Sequence, residues 1–333
     1  MKAQEIKNKA LQLGYLACRI IPTNVFDEFS QYLDERIKSF PSSKALYEPM
    51  YGFVRQPDIA KSIIVCILRY NKYTIPESLS KLFGKLYLFD SRINYSQEYR
   101  NKLEFDEFLK LQGINIVQAG VSARMAAAKA GLGKLGRNNF IYDPEHGSFI
   151  YIYTWIVDKE LEYDPVEEDT LLSACNDGCQ KCIQACPTTA LSGSYSMDMG
   201  KCITHLTCFP GASVDNTIRA QMGLWLYGCD VCQDACPANK DKFKESEAFP
   251  LLHEQLDFFS PEHILEMDED TYVNIVNPRY WYAGKENMWL WQCNALRSMI
   301  NSKDAKYHAL IDKYCDHTDE RIRAVAQWGK DNR

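Results

Sequence analysis

Apolar residues follow helical and extended patterns in turn along the first half of the chain. In the opening segment they recur every three or four positions, which predicts a helix that ends near Gly14. Residues 62–68 read SIIVCIL, an unbroken apolar run typical of a buried strand. A second helical repeat begins at Phe105 and stops before Gly113, a residue type that often follows a helix end. The first half therefore combines helices with strands.

Two aromatic and β-branched runs lie within residues 138–158, on either side of the turn residues 143–147. This pattern predicts a pair of strands joined by a short turn. Together these elements predict an overall α+β fold in which residues 1–165 form an α/β domain.

The rest of the chain divides into two further regions. Residues 166–245 contain grouped cysteines and short connections in place of hydrophobic periodicity, which is expected where a metal cluster organises the fold. Residues 246–333 are predicted to be helical, with a helix start at Ser260-Pro261 and amphipathic helices over 289–300 and 319–328. These last two helices resemble a HEAT-type pair.

Composition and charge exclude several classes of protein. The opening segment carries scattered lysines without a cleavage site for a signal peptide, and no apolar run approaches the roughly 20 residues that cross a bilayer. We therefore predict a cytoplasmic protein with no membrane partner. With 38 Lys and Arg against 44 Asp and Glu, the net charge is −6. DNA is thus not expected as a partner, and any nucleic-acid contact must be regional.

The sequence contains 13 cysteines, and the spacing of most of them indicates metal ligation. A reducing compartment keeps thiols free, so grouped cysteines there are more often metal ligands than disulfides. Five are scattered and are interpreted as small buried apolar residues: Cys18, Cys66, Cys208, Cys293 and Cys315.

Two copies of the pattern C-x2-C-x3-C-P lie in the middle region, at 179–187 and at 229–237. In two-cluster ferredoxins the cysteine before the proline reaches across to the other cluster. One [4Fe–4S] cluster is therefore predicted on Cys175, Cys179, Cys182 and Cys236. The other is predicted on Cys186, Cys202, Cys229 and Cys232, with Cys208 as the alternative to Cys202. Residues 166–245 are accordingly interpreted as a ferredoxin-like domain.

A zinc site is the main alternative, because paired C-x2-C elements are common in zinc ribbons. Zinc takes four ligands, however, and leaves the third cysteine and the proline of each run unexplained. Two [4Fe–4S] clusters account for all of them.

The chain is much longer than two clusters require, with extensive segments on both sides of the cysteines. This excess indicates an enzyme that carries its own electron-transfer centres. The alternative is an electron-transfer protein of the two-cluster ferredoxin type, whose first domain docks a partner enzyme and binds no cofactor of its own.

Four segments occur in a specific order along the chain: AKAGLGKLGRNNFIYDPEHGSF (128–149), CQKCIQACPTTAL (179–191), GKCITHLT (200–207) and YGCDVCQDACPANK (227–240). In this order they resemble the epoxyqueuosine reductases, cobalamin-dependent enzymes of queuosine biosynthesis, with reductive dehalogenases as more distant relatives. The resemblance implies a cobalamin-binding domain over 1–165, the two-cluster domain and a helical tail.

The resemblance also implies that the glycine loop binds the corrinoid. The residues expected to hold it are Gly131, Gly133, Lys134, Gly136, Arg137, Asn138, Tyr227 and Gly228. The same glycines match a dinucleotide fingerprint, but such a loop follows a strand and opens a helix. Here a helix is predicted before the loop and a strand after it, so the fingerprint is rejected. An ordinary helix end and turn is the other interpretation of these glycines.

By this resemblance, an external low-potential donor of the ferredoxin or flavodoxin type supplies electrons to the clusters. The clusters then reduce base-off cobalamin to cob(I)alamin, which attacks an electrophilic carbon such as that of epoxyqueuosine. The protein binds, orients and excludes water, while the cofactor supplies the difficult chemistry.

The chain departs from the family in one residue that matters for catalysis. Family members carry a proton-donating aspartate shortly before the glycine loop, where this chain has Val117 and Gln118, and no carboxylate lies between Glu107 and Asp143. Another group must donate the proton, or the substrate differs. Tyr95 and Tyr99 are the predicted catalytic residues, although both also suit an ordinary helix face. His205 is interpreted as structural.

The resemblance implies tRNA as a further partner, which the tail supports only weakly. The approach to it contains Arg279, Lys285 and Arg297, and residues 297–333 hold nearly balanced charges. Residues 280–282 read YWY and suit either base stacking or core packing. A tRNA-binding module without catalysis is therefore a third hypothesis.

Overall fold

The computed structural model describes residues 3–175, 178–193, 195–211 and 214–332. Most strands are short and lie in the first two thirds of the chain. They are β1 Ala17–Pro22, β2 Ser62–Arg69, β3 Lys134–Leu135, β4 Ile141–Tyr142, β5 Ile150–Val157, β6 Leu191–Gly193 and β7 Ser196–Met197.

The α-helices occur throughout and are longest in the first domain and the tail. They are α1 Ala3–Gln12, α2 Asp27–Ser39, α3 Lys44–Tyr47, α4 Lys85–Leu88, α5 Gln97–Leu111, α6 Ala123–Lys129, α7 Lys181–Ala185, α8 Ile203–Cys208, α9 Asn216–Gln221, α10 Val231–Asp234, α11 Pro261–Glu266, α12 Glu269–Thr271, α13 Met288–Ser302, α14 His308–Lys313 and α15 Glu320–Asp331.

The central sheet has the order β1-β2-β5, and both pairings are antiparallel. Strand β2 is buried along all but its last residue because helices cover both faces of the sheet. That double burial explains its unbroken apolar run. Since the pairing is antiparallel, the first region is α+β and not α/β as the sequence suggested.

The predicted helix ends are confirmed by the backbone. Gly14 and Gly113 follow α1 and α5 closely and have φ values of +85° and +69°. Glycine adopts this left-handed conformation without a Cβ penalty. In the tail, Ser260 caps α11 by accepting a hydrogen bond from the backbone N–H of His263.

The predicted strand pair over 138–158 is wrong in its partners. Asp143 and Gly147 do form a turn with an isolated antiparallel bridge. However, β4 pairs with β3 of the glycine loop, while β5 joins β2 in the central sheet. The long β5 run gains more burial along β2 than a two-residue strand could offer.

The largest buried cluster joins regions that are distant in the sequence. It takes in one sheet face, α1, α5, residues around 226 and the helical tail. A second cluster covers the opposite sheet face with α2 and α6. In the tail, α13 packs against α11 and α15, and Gly329 lets α15 approach Ile300 closely.

Four of the scattered cysteines are buried, namely Cys18, Cys66, Cys208 and Cys315, and Cys293 is half-buried. None of the helices in the described part of the chain is both long enough and apolar enough to cross a membrane.

Candidate active site

The cysteines of the second predicted set surround one cavity. Cys186, Cys202, Cys229 and Cys232 all line a cavity of ≈ 330 Å³, called here the cluster cavity. Burial raises the pKa of Cys232 well above its ordinary value, and the neighbouring Cys229, Cys202 and Cys186 raise it further. The charge interactions agree with the geometry, in which all four cysteines border the same space.

The first predicted set is built on the adjoining helices. Helices α7 and α10 pack together, which brings Cys182 near the end of the second cysteine run. Burial raises the pKa of Cys182, and Cys236 and Cys175 add to the shift. The chain thus crosses over as the ferredoxin pattern requires, with Cys236 beside the first group and Cys186 beside the second.

Cys208 lies apart from both groups. Burial raises the pKa of this thiol to about 12, and the groups that act on it are Thr207, the backbone of Gly228, Tyr87 and Tyr227. The structure therefore places Cys202, and not Cys208, with the second set.

Within the described residues, no three His, Cys, Asp or Glu side chains are arranged to hold a single metal ion. In a four-iron cluster each thiolate binds a different iron, which separates the sulfurs more widely than ligation of one ion does.

The glycine loop is shaped by its own packing. Gly131 follows α6 with a φ of +66°, as a helix end requires. A Cβ on Gly133 would lie 2.5 Å from Ile141 Cγ2, and one on Gly136 would lie 2.6 Å from the Tyr142 ring. These two glycines therefore allow the loop to fold back onto β4.

Most of the other residues expected around a corrinoid make protein contacts. Lys134 forms ion pairs with Glu167 and Asp169, while Arg137 donates to the carbonyl oxygen of Cys179 at 3.0 Å. Tyr227 is fully buried with its ring stacked on Trp291 at 4.8 Å, and a Cβ on Gly228 would clash with Tyr87. Asn138 lines the cluster cavity and also bonds to the protein, at Tyr142 and Cys232.

Two further cavities adjoin the cluster cavity. One of ≈ 660 Å³, the tyrosine cavity, is lined by Tyr70, Tyr99, Tyr151 and Tyr153 together with polar residues of α5 and the 90–92 turn. The other, of ≈ 290 Å³, is called the side cavity and lies between α2 and residues 121–125. Arg124 lines all three, so its side chain marks their junction.

Comparison with known proteins identifies this arrangement. Residues 174–239 match the family described as the 4Fe-4S double cluster binding domain. The epoxyqueuosine reductase of Staphylococcus aureus is 34% identical over 348 aligned positions, which cover 98% of this chain and 87% of that protein. The chain belongs to the epoxyqueuosine reductase family. It is an oxidoreductase with a two-cluster iron–sulfur domain, as the sequence predicted.

Solved structures of the family have the same fold. A selenomethionine-labelled epoxyqueuosine reductase superposes with a TM-score of 0.73 at 25% identity, over 98% of this chain and 88% of that one. An epoxyqueuosine reductase crystallised with an epoxyqueuosine-modified tRNA-Tyr stem loop gives a TM-score of 0.72 at 24% identity, with the same coverage.

The two tyrosines predicted to be catalytic have different surroundings in this family member. Tyr99 lines the tyrosine cavity from the first turn of α5. Tyr95 precedes that helix, and its hydroxyl accepts a hydrogen bond from Arg279 Nη1 at 2.6 Å. The structure thus separates them, with one at the cavity and one in a structural contact.

The positions that lack the family's aspartate lie beside the sheet. Val117 donates its backbone N–H to Ile156 and packs half-buried against the second core cluster, while Gln118 is exposed. His205 lines the cluster cavity and stacks on Phe209, and burial lowers its pKa. Sequence reasoning had not assigned His205 to a cavity.

Sequence reasoning also missed Asp90, Arg92 and Arg124. Asp90 lines the tyrosine cavity and is 2% exposed, and its two oxygens accept hydrogen bonds from Arg92 at 3.0 and 2.7 Å. Both oxygens therefore act as acceptors. The signal was the charged pair Asp90 and Arg92 in an otherwise apolar stretch, directly before the tyrosine motif.

The two arginines of the segment that approaches the tail are buried and bind backbone groups of the core. Arg279 and Arg297 are 2% and 3% exposed and donate to backbone carbonyl oxygens of Leu88, Gly223 and Trp225. Lys285 is exposed. Of the YWY run, Tyr280 is buried in the core, whereas Trp281 and Tyr282 each line a cavity and lie against the guanidinium of Arg92.

Proposed function

We propose that this protein is a cobalamin-dependent iron–sulfur reductase that acts on epoxyqueuosine in tRNA. One observation carries the proposal. The cavity walled by four cysteines adjoins the larger tyrosine cavity, and Leu86, Arg124 and Phe140 line both. A cluster on these cysteines would therefore face directly onto a space for the reacting groups.

The cysteines fit two [4Fe–4S] clusters. Thiolates are the ligands that such clusters require, and the crossed pairing of Cys186 and Cys236 is the ferredoxin arrangement. On this proposal Cys175, Cys179, Cys182 and Cys236 hold one cluster, and Cys186, Cys202, Cys229 and Cys232 hold the other. Asn138 supports the second set through a hydrogen bond to the Cys232 carbonyl oxygen.

The cavities also fit a base-off corrinoid. Buried donors near them have no protein partner, including Arg36 Nε and Asn139 Nδ2. Buried donors are satisfied in most proteins, so these two suit the amide and phosphate oxygens of such a cofactor. Arg124 at the junction would meet the same groups. When bound, the corrinoid would supply a strongly nucleophilic cobalt.

The protein's own residues would position the substrate and supply a proton. Opening an epoxide creates an alkoxide, which needs a donor within hydrogen-bond reach. Tyr99 suits this role because its side chain lines the tyrosine cavity. Asp90 does not, since both its oxygens already accept from Arg92. Arg92 and Trp281 would help to close the cavity against water.

The division of the chain follows from these roles. We assign residues 1–165 to corrinoid and substrate binding, 166–245 to a ferredoxin-like domain and 246–333 to a HEAT-like helical region. We also assign tRNA as the substrate carrier, because a family member binds a modified tRNA stem loop. Electrons would come from an external low-potential carrier, and the reaction would take place in the cytoplasm.

The test is combined iron, sulfide and cobalt analysis of protein reconstituted without oxygen and loaded with cobalamin. We expect about eight irons, eight sulfides and one cobalt per chain, with the spectrum of a base-off corrinoid. C202S should remove about half of the iron, while the control C208S should retain all of it. Turnover of epoxyqueuosine-tRNA completes the test. Full iron without any retained cobalt would instead indicate an electron-transfer protein.

A further inference from the structure

We propose that a groove beside Cys236 is the docking site for an acidic one-electron carrier protein. The groove has a volume of ≈ 500 Å³ and is lined by Lys85, Lys181, Cys236, Lys240, Asp241 and Phe243, among others. It is called here the lysine groove. The inference rests on the proposed function, because it takes Cys236 as a ligand of the first cluster.

The groove gives solvent access to that cluster. Cys236 is half-buried and forms part of the groove wall, whereas Cys175 and Cys182 of the same set are buried. A carrier seated in the groove would therefore contact a ligand of the cluster directly. One electron would pass from the carrier's reduced flavin or iron–sulfur centre to this cluster. The carrier is oxidised, the cluster gains one electron, and no bond is made or broken.

The charges around the groove favour an acidic partner. Lys181 and Lys240 are exposed and form no ion pair within the described residues. The third lysine of the wall, Lys85, is paired with Asp230 and Asp234. Among the residues that line the groove, three lysines face Asp234 and Asp241, which leaves a surplus of one positive charge.

This local surplus contrasts with the whole chain, whose net charge is −6. An acidic carrier is repelled by a surface of net negative charge and attracted to a local surplus of lysines, which would steer it toward the groove. The distribution of charge thus favours both the docking position and a partner of negative net charge.

The groove is also separate from the substrate side. It shares no lining residue with the cluster cavity or with the tyrosine cavity. A carrier could therefore bind while substrate occupies the tyrosine cavity. The same lysines would also attract RNA phosphates. However, a cluster ligand in the groove wall serves electron transfer and contributes nothing to RNA binding, so the presence of Cys236 there favours an electron carrier as the partner.

The experiment measures cluster reduction by a reduced flavodoxin of negative net charge, followed by stopped-flow absorbance. In the double variant K181E/K240E we expect the second-order rate constant at low salt to fall roughly tenfold or more, with most of its salt dependence lost. Reduction by dithionite, which needs no docking site, should be unchanged. The control K159E/K330E changes two exposed lysines outside the groove by the same charge and should behave like the unmodified protein.

The outcomes separate the docking proposal from the proposed function. Normal dithionite reduction together with an unchanged flavodoxin rate in K181E/K240E would overturn the docking site alone. Loss of tRNA affinity in this variant without a change in the flavodoxin rate would overturn it in favour of an RNA contact. Absence of iron and sulfide from the unmodified protein after reconstitution without oxygen would overturn the cluster assignment and the docking site with it.

Discussion

The side-chain amide of Asn138 donates a hydrogen bond to the carbonyl oxygen of Cys232, 3.1 Å away. The same NH2 group donates to the hydroxyl of Tyr142 at 2.8 Å, and Asn138 is 2% exposed. One side chain thus ties the end of the glycine loop to the turn that presents two cysteines of the second set. The glycine loop therefore stabilises the backbone that carries the cluster cysteines, in addition to its proposed contact with a corrinoid.

Replacing Asn138 by alanine should therefore destabilise the cluster site. The change leaves the Cys232 carbonyl oxygen without this donor, and an unsatisfied buried polar group costs about 1–3 kcal/mol. We expect N138A to lower the free energy of unfolding by that amount and to lose iron faster during exposure to a chelator. Chemical denaturation and timed iron analysis measure both effects.

The matched control is N8A, because Asn8 lies on the exposed surface of α1 and bonds only across one turn, to Gln4. It should change the free energy of unfolding by less than about 0.5 kcal/mol. Equal stability and equal iron retention in N138A and the unmodified protein would contradict a supporting role for Asn138.

The glycines of the loop should differ in their tolerance of a side chain. A Cβ at Gly133 would lie 2.5 Å from Ile141 Cγ2 and 2.9 Å from the Tyr142 carbonyl oxygen. G133A should therefore cost about 1–3 kcal/mol through overpacking. At Gly131 a Cβ would meet no heavy atom within 4 Å, and only its φ of +66° is restrictive. Because asparagine tolerates this conformation, G131N should cost less than G133A.

Thermal unfolding of the two variants provides the comparison. If G133A were as stable as the unmodified protein but failed to retain cobalamin, the glycine would serve the cofactor and not the packing of the loop against β4.

Local patterns in the sequence determined what could be predicted. Each C-x2-C-x3-C-P run lies within nine residues, so cluster ligation can be predicted from it without knowledge of the fold. The choice between Cys202 and Cys208 depended on which end of α8 lies beside the other cysteines, and Cys202, directly before the helix, lines the cluster cavity with them. The helix ends near Gly14 and Gly113 could also be predicted from local sequence, because the positive φ at such an end favours glycine.

The cavities could not be predicted, because distant segments build them. Asp90, Arg124 and Trp281 line the tyrosine cavity from three separate parts of the chain. Arg124 has no sequence signal, being one of two cations in the alanine-rich helix α6. The partner of β4 was equally hidden, since a two-residue strand carries no periodicity from which its pairing can be inferred.

Acidification should destabilise the protein through His205. Burial lowers the pKa of this histidine in the folded state, while the unfolded chain titrates near the ordinary value of about 6.5. Below that pH the unfolded state binds the proton more readily, so the free energy of unfolding falls as pH is lowered. H205Q should remove this part of the pH dependence between about pH 7.5 and pH 5.5.

Urea denaturation at several pH values within this range measures the slope. The control is H253Q, since His253 is exposed and lies outside the cluster cavity. The interpretation fails if H205Q and the unmodified protein lose stability equally on acidification.

Tyr99 and Tyr95 should respond differently to removal of their hydroxyls. At Tyr99 the hydroxyl is proposed to donate the proton, so Y99F should lower turnover by about 10²–10⁴-fold, as general acids typically contribute. The stability of Y99F should change little, because the ring remains in place.

At Tyr95 the hydroxyl accepts from the buried Arg279, and Y95F leaves that charged donor without its partner. Y95F should therefore cost about 1.5–3 kcal/mol of stability, with nearly normal turnover per folded molecule. Single-turnover kinetics and chemical denaturation on both variants separate the two roles. Full turnover in Y99F would exclude Tyr99 as the donor and direct attention to Lys102, the ammonium group one turn further along α5 in the same cavity.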